Sequence, residues 1–446
     1  MKECFIRDIA KLERGAKLQL KGWVKSRRTV NSTIFIDIVD STGTVQALID
    51  KGMLHKKEDA YRLLKPESSV VIDGVKQPRR GGGFEILILD FHVVGEARIN
   101  LQPRPRAWKN MFDCNHADHV LKNRHFYLRN EKQAAVLRFK SFFIFELHRY
   151  LNENGYVFID APVLTRLLLY GDSTAFRVDY HEHGNRKRDI FLSQCCMFQL
   201  EAAAHVFEKV YNITPSFRAE HSRSNRHLRE YWHLKVEIAW ADLEDLVKVA
   251  GKLLYTVVKR TVQKAQREMD ILGWPIDPEE VAPPYPSIAY DEAVEIIHKA
   301  GKPFVWGKNL GTEDEEILTK EFGEKPLWVR EIPCCAEAFP FARDASNPDV
   351  TRSCDLICPR GFGELLGVAE KITSKSELLE RMAEKGREGE DNLERYGWYL
   401  DLRDYGVVPH GGIGMGIERV VRYLLKLPHI RYAVSFPRLF GRTPNP

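Results

Sequence analysis

The chain has 446 residues, 44% hydrophobic and 29% charged, an ordinary balance for a soluble globular protein and too long for one core, so two or three domains are expected. No stretch approaches the roughly 18 apolar residues a membrane span needs, and MKECFIRDIAKLERGAKLQL lacks a signal-peptide core, so a cytoplasmic protein with no membrane partner is expected. A net charge of +5 suits an anionic partner without requiring one.

Residues 17–50 form short alternating runs, KLQLKGWVKSRR, TIFIDIVDS and TVQALID, with a turn at Asp40–Gly43. SVVIDGVKQ and FEILILDFHVVGEA follow around a turn at Arg79–Gly83. Short strands with regular turns predict a small β-barrel over residues 1–102. The Pro- and Arg-rich LQPRPRAWKN opens a predicted linker, 103–127. A second domain then runs from 128 to 446. EKQAAVLRFKSFFIFELHRYLNENG has helical spacing and stops at Asn154-Gly155. YVFIDAPVL is expected as a strand, followed by DIFLSQ and a helix around LEAAAHVFEKVY. The strand pair SFRAEHS / YWHLKVEIAWA and the long helix LEDLVKVAGKLLYTVVKRTVQKAQREM come next. Strands are expected at PLWVREI, AEAFPFARD and SCDLICP, then a Gly-rich strand and a helix at GIERVVRYLLKL. Helices alternating irregularly with antiparallel strands predict an α+β fold, not a doubly wound one.

Two segments carry chemistry. In FRAEHSRSNRHLREYWHLKVEIAW, a loop between strands holds Arg223, Arg226, His227 and Arg229. Arginines in such a loop can wrap a polyphosphate, although a merely solvated basic loop reads equally well from this segment alone. In HGGIGMGIERVVRY, Gly412, Gly414 and Gly416 alternate along a strand that enters a helix bearing Glu418 and Arg419. Alternating glycines clear one face of a strand for a flat ligand. Their spacing is not that of a dinucleotide fingerprint. Eight cysteines include the adjacent pairs Cys195–Cys196 and Cys334–Cys335, poorly placed for disulfides, so reduced thiols are expected.

In this order the two segments resemble motifs 2 and 3 of class II aminoacyl-tRNA synthetases, and APVL around Pro162 resembles the dimer-forming motif 1. WYLDLRDYGVVPHGG, GIERVV and HIRYAVSFPR resemble the asparaginyl-tRNA synthetase C-terminus. RHLREYW resembles that family's motif 2 loop, and GWVKSRR…FIDIVDSTGTVQALI its OB-fold anticodon domain. The resemblance covers nearly the whole chain. It implies a homodimer, an N-terminal OB-fold, and a catalytic domain on a six- to seven-stranded antiparallel sheet. It also implies ATP and Mg²⁺, a small carboxylic acid as substrate, and tRNA as acceptor. Arg218 would hold the ATP α-phosphate and the substrate carboxylate, with Glu220, Arg226 and His227 against the bent ATP. Glu230 and Tyr231 would read the adenine, Arg419 would take the γ-phosphate beside Gly416, and Asp355 and Glu364 would hold Mg²⁺. Arg218, Arg419 and Glu220 form the implied catalytic set. The implied reaction is in-line attack of a carboxylate on the α-phosphate, expelling pyrophosphate, by orientation and charge neutralisation. In the barrel, Phe35 and Gln46 match positions that meet an anticodon base, and Arg28 lies near enough in sequence to meet phosphates; core packing is the other reading of Phe35.

The resemblance breaks where the family holds the substrate's α-ammonium. Its Glu-Gly is Tyr170-Gly171, its Ser-Gly-Gln or Ser-Pro-Gln is Cys195-Cys196-Met197, and an acidic residue of motif 2 is Lys235. Its Gly-Gly-Ser-x-Arg is Gly367–Lys371, with Glu370 offering either a new cation-binding point or a surface role. Tyr170, Cys195, Met197, Lys235, Lys371 and Arg403 therefore form the expected acyl pocket. A buried ammonium needs acceptors or opposite charge, which Tyr, Met and Lys do not provide. The expected acid is thus not ordinary L-asparagine, and its acceptor is tRNA or a small amine. One alternative is a divergent asparagine–tRNA ligase that reads the ammonium with Asp172 or Glu337. Another is a non-catalytic tRNA-binding or regulatory paralogue. The presence of Arg218, Asp355, Glu364 and Arg419 argues against the latter.

Overall fold

The computed structural model describes residues 2–30, 33–49, 61–98, 104–181 and 189–443. It divides into two compact units, Met1–Pro105 and Arg106–Pro446. The expected boundary at 102–103 lies outside the described residues. The stretch read as a linker is helical where it is described. Short helices at Pro105–Lys109, Ala117–Lys122 and Arg124–Tyr127 bury Ala107, Met111, Val120, Phe126 and Tyr127 together. Its Pro and Arg content hid this small apolar cluster.

The first unit is a closed barrel of β1 (Lys17–Val30), β2 (Thr33–Asp40), β3 (Gly43–Ile49), β4 (Ser69–Pro78) and β5 (Phe84–Gly95), in the order β1-β2-β3-β5-β4. The two-residue period of TIFIDIVD sends Ile34, Ile36 and Ile38 into the core and leaves Phe35 and Asp37 on the outer side. Gly74 lets β4 cross β5 closely; a Cβ there would lie 2.5 Å from Ile86 Cγ2.

The larger unit opens with α1 (Glu131–Glu153), which Asn130 caps by accepting from the Lys132 and Gln133 amides. It ends at Asn154-Gly155 as expected, with Gly155 at φ 79°. YVFIDAPVL forms two short strands, β6 (Val157–Phe158) and β7 (Leu164–Thr165), with Pro162 in the gap between them. β8 (Arg177–Val178) and β9 (Ile190–Leu192) join β7 in a small side sheet. Then come α2 (Met197–Phe207), β10 (Lys209–Phe217), β11 (Glu230–Ala239) and α3 (Leu243–Lys264). An Asp242/Asp245 capping box starts α3. The remaining elements used below are β12 (Ser287–Ala289), α4 (Thr312–Glu321), β13 (Leu327–Arg330), β14 (Ser353–Cys358), β15 (Gly363–Glu370), β16 (His410–Gly416) and α5 (Ile417–Leu424). AEAFPFARD, expected as a strand, makes only isolated bridges, Phe341 to Lys371 and Arg343 to Thr351.

The main sheet has eight strands, β12-β13-β14-β15-β16-β11-β10-β6. Its six inner strands are antiparallel, while β12 and β6 add parallel edges, so the expected six- to seven-stranded antiparallel sheet is extended and mixed. Both edge strands are only two or three residues long, which hides them from pattern reading. On one face α1 and α3 bury Phe139, Phe143, Leu253 and Val257 against Leu234, Val236, Ile413 and Val368. Tyr231, His233, Lys235 and Glu237 alternate with those core residues and take the other face, beside Gly412, Gly414 and Gly416. No helix among the described residues is long and apolar enough to cross a membrane. All eight cysteines are free, and Cys354 and Cys358 belong to the core.

Candidate active site

A cavity of about 430 Å³ opens over the glycine face of the sheet. Three glycines each make room for a charged side chain. A Cβ on Gly367 would lie 2.5 Å from Asp355 Oδ1, one on Gly412 would lie 2.4 Å from Glu237 Oε2, and one on Gly414 would lie 2.3 Å from Lys235 Nζ. Pairing registers align Asp355, Gly367, Gly414 and Lys235 in one row across four strands. The glycines thus leave space for acidic and basic side chains laid flat along the floor.

At one end Arg218 follows β10. Its guanidinium lies 4.3 Å from the Tyr170 ring centre and 5.6 Å from that of Tyr231, and Nη2 donates to Tyr170 Oη at 3.1 Å. Glu220 stands 3.8 Å from the same guanidinium. Burial opposes the charge on Arg218, but the Tyr170 and Tyr231 hydroxyls and the carboxylates of Glu220 and Glu364 outweigh it and hold the guanidinium protonated. Arg419, on α5, donates to the Glu364 side chain at 2.9 Å and to its backbone carbonyl at 3.0 Å. Arg226 is ion-paired to Glu315 of α4. His227 Nδ1 lies within 3.0 Å of Ser222 Oγ and 2.5 Å of Ser224 Oγ. Burial, with Arg419 and Arg226 close by, pushes its imidazole down to about 4, so it is neutral near pH 7.

Asp355 and Glu364 both line the cavity. The Asp355 side chain makes no hydrogen bond or ion pair among the described residues, and burial together with Glu364 and Glu337 raises its carboxyl well above the ordinary range. A carboxylate in that position is suited to a hard cation. Among the described residues no three His, Cys, Asp or Glu side chains cluster as a complete metal cage. Two carboxylates fit Mg²⁺, which commonly takes one or two and completes its shell with phosphates and water.

The cavity wall also includes Tyr170, beside Arg218, together with Met197, Lys235 and Lys371. Three expected site residues lie elsewhere. Glu230, the first residue of β11, is not among the residues lining the cavity and stands 4.0 Å from Arg438, whose carbonyl accepts from the Arg229 amide. Cys195 is buried in a cluster with Phe198 and Phe339, and only Met197, the first residue of α2, reaches the cavity. Arg403 lies behind the wall, donating to Glu201 at 2.7 Å and to the Ile372 and Tyr399 carbonyls. Glu370 is held by Arg352 through two 2.7 Å bonds and accepts from the Leu243 amide at the start of α3, a structural role. Of the two alternative ammonium readers, Glu337 lines the cavity and Asp172 does not. His233, Glu237 and Glu315 also line it. Counting by twos from Tyr231 would have found the first two; nothing near Glu315 in the sequence marks it.

In the barrel, the Arg28 guanidinium lies 5.3 Å from the Phe35 ring centre and Nη2 donates to Gln46 Oε1 at 2.7 Å. Gln46 Nε2 in turn donates to Glu85 at 2.7 Å. The three expected residues are therefore contiguous.

An antiparallel sheet that binds through a glycine-cleared face, with an arginine on the strand pair and another on the following helix, has the architecture of a class II nucleotide-dependent ligase. Residues 116–439 match the family described as tRNA synthetases class II (D, K and N), and residues 18–94 match the OB-fold nucleic acid binding domain. The chain belongs to the class II aminoacyl-tRNA synthetases, in their asparaginyl-type group, and is a ligase. It is 35% identical to the asparagine–tRNA ligase of Pyrococcus abyssi over 99% of both chains. It is 36% identical to that of Thermococcus kodakarensis over 98% of this chain and 97% of the other. The asparaginyl-tRNA synthetase of Pyrococcus horikoshii, complexed with asparaginyl-adenylate, superposes with a TM-score of 0.89 at 34% identity, covering 99% of both. The Entamoeba histolytica asparaginyl-tRNA synthetase gives 0.84 at 28% identity, also over 99% of both.

Proposed function

We propose that this chain activates a small carboxylic acid with ATP, releasing pyrophosphate, and passes the acyl group of the adenylate to tRNA. The observation that carries this reading is the convergence of Arg218, Arg419, Asp355 and Glu364 on one cavity. The acid is already ionised, so its attack on the α-phosphorus needs no base. The barrier is repulsion between two anions, which a preorganised arginine lowers. Arg218 would touch both the carboxylate and the α-phosphate, while Arg226 and Arg419 would meet the outer phosphates. Asp355 and Glu364 would hold Mg²⁺, which supplies further positive charge to the phosphates. The adenylate bound to the Pyrococcus horikoshii neighbour supports this reading.

Phe35 stands on the outer side of the barrel while Ile34 and Ile36 fill its core, which favours stacking on an unpaired base over core packing. Arg28 and Gln46 adjoin it as hydrogen-bonding groups. A homodimer is part of the proposal. Phe145, Phe158 and Leu164, on and after α1, are 58%, 47% and 51% exposed, an apolar set suited to a second copy.

A second reading, charging with L-asparagine itself, is favoured by the relatives' names and by Glu337, a wall carboxylate available to an ammonium. Exchange of labelled pyrophosphate into ATP with a pool of carboxylic acids tests the proposal. Exchange is expected in the wild type and a loss of about 100-fold or more in Arg218→Ala. Acid-independent ATP turnover, or none at all, counts against it.

A further inference from the structure

We infer that the acid used here has no basic α-amine and presents a second anionic or carbonyl group to Lys235 and Lys371: a short dicarboxylic acid or its monoamide. This rests on the adenylate-forming reading above and names its substrate class.

Lys235 lies on the floor of the cavity, in register with Gly414, whose missing side chain gives its Nζ room. Lys371, only 6% exposed, enters beyond the end of β15, its ammonium 4.2 Å from the Phe341 ring centre. Among the described residues neither lysine's ammonium makes a hydrogen bond or an ion pair to a carboxylate, and that of Lys371 faces the Phe341 ring. The wall's carboxylates are largely engaged elsewhere. Glu364 serves Arg419 and Glu315 serves Arg226, while Glu337 accepts only from neutral donors, Ser353 Oγ at 3.2 Å and the Ala338 amide at 3.4 Å. Glu237, whose register position falls between the two lysines, is 1% exposed and has one carboxyl oxygen with no partner. Burial pushes its carboxyl up to about 7, partly offset by Lys371, His410 and Lys235, against the opposing effect of Glu201.

An acid whose carboxylate sits on Arg218 would bring an α-ammonium to the Tyr170, Met197 and Lys235 side. There Tyr170 already binds Arg218 through its hydroxyl and ring, Met197 offers only a thioether, and Lys235 is a like charge. Two enclosed ammonium groups that pair directly with no carboxylate, and have only the half-titrated Glu237 between them, suit an added oxygen ligand. An oxygen group at each lysine satisfies them. The orphan Glu237 oxygen accepts from a carboxamide, or the protonated carboxyl donates to a carboxylate.

The test is pyrophosphate exchange by the full chain with succinate, malate, succinamate, L-aspartate and L-asparagine supplied singly. The expected result is exchange at least about tenfold faster with one of the first three than with either amino acid. In Lys235→Glu that ratio is expected to fall at least about tenfold in favour of L-asparagine. The wild-type comparison needs no variant, so it stands if Lys235→Glu does not fold. Equal or faster exchange with L-asparagine or L-aspartate overturns the inference and leaves the adenylate reading intact. No exchange with any of the five overturns the adenylate reading itself.

Discussion

Arg226, in the loop between β10 and β11, is ion-paired to Glu315, 89 residues further along the chain on α4. The side chains are 12% and 3% exposed, so the pair is enclosed. Gly363 packs against it; a Cβ there would lie 2.2 Å from Arg226 Nη1. A helix outside the two motif segments thus holds Arg226, the arginine proposed to meet the outer phosphates. Glu315→Ala is expected to raise the KM for ATP by about 10- to 100-fold, the worth of a charged hydrogen bond, with a smaller change in kcat. Steady-state kinetics over ATP concentration would check it. Equal losses in both constants would place the effect on the chemical step.

Asp355 carries an opposite pair of consequences. Burial, Glu364 and Glu337 all disfavour its charge. Asp355→Asn removes that charge and is expected to raise the melting temperature of ligand-free protein while abolishing pyrophosphate exchange. Mg²⁺ with ATP is expected to stabilise the wild type but not the variant. Thermal unfolding with and without the ion distinguishes these outcomes.

Stability is expected to fall on the acid side of neutrality. Burial, with Lys235, Arg218 and Arg419 around it, holds the His233 imidazole well below 6.5, while Nδ1 lies 3.0 Å from Ser216 Oγ. Below pH 6.5 the unfolded chain takes up a proton that the folded one refuses, so lowering the pH favours unfolding. The slope is up to about 1.4 kcal/mol per pH unit for this one group. Denaturant titrations between pH 7 and 5 should show the decline, shallower in His233→Asn.

On the barrel, Phe35→Ala is expected to weaken tRNA binding by about 10- to 100-fold. Arg28→Ala should lower both the affinity and its salt dependence. Filter binding across salt concentrations measures both; unchanged affinity in Phe35→Ala would make the barrel's aromatic face irrelevant to RNA.

Elements with strong periodicity were legible in the sequence: the barrel strands, α1, the glycine strand and the arginine hairpin. The family resemblance also picked out Arg218, Asp355 and Glu364, which line one cavity. Side-chain direction was less accessible. Glu230 and Tyr231 adjoin in sequence, yet one strand residue faces the cavity and the other does not. Arg403 matches a pocket position but is consumed by Glu201, a partner 202 residues away. Glu315 had no local signal, because its importance comes only from tertiary contact. Lys235 was legible as a departure from the family pattern, but its place on the cavity floor opposite Gly414 is a property of the cross-strand register alone.

The most direct measurement follows oxygen. With the acid that best drives exchange labelled with ¹⁸O in its carboxylate, attack on the α-phosphorus predicts one labelled oxygen in each AMP released after acyl transfer. AMP without label, or ADP and phosphate as products, would contradict the account.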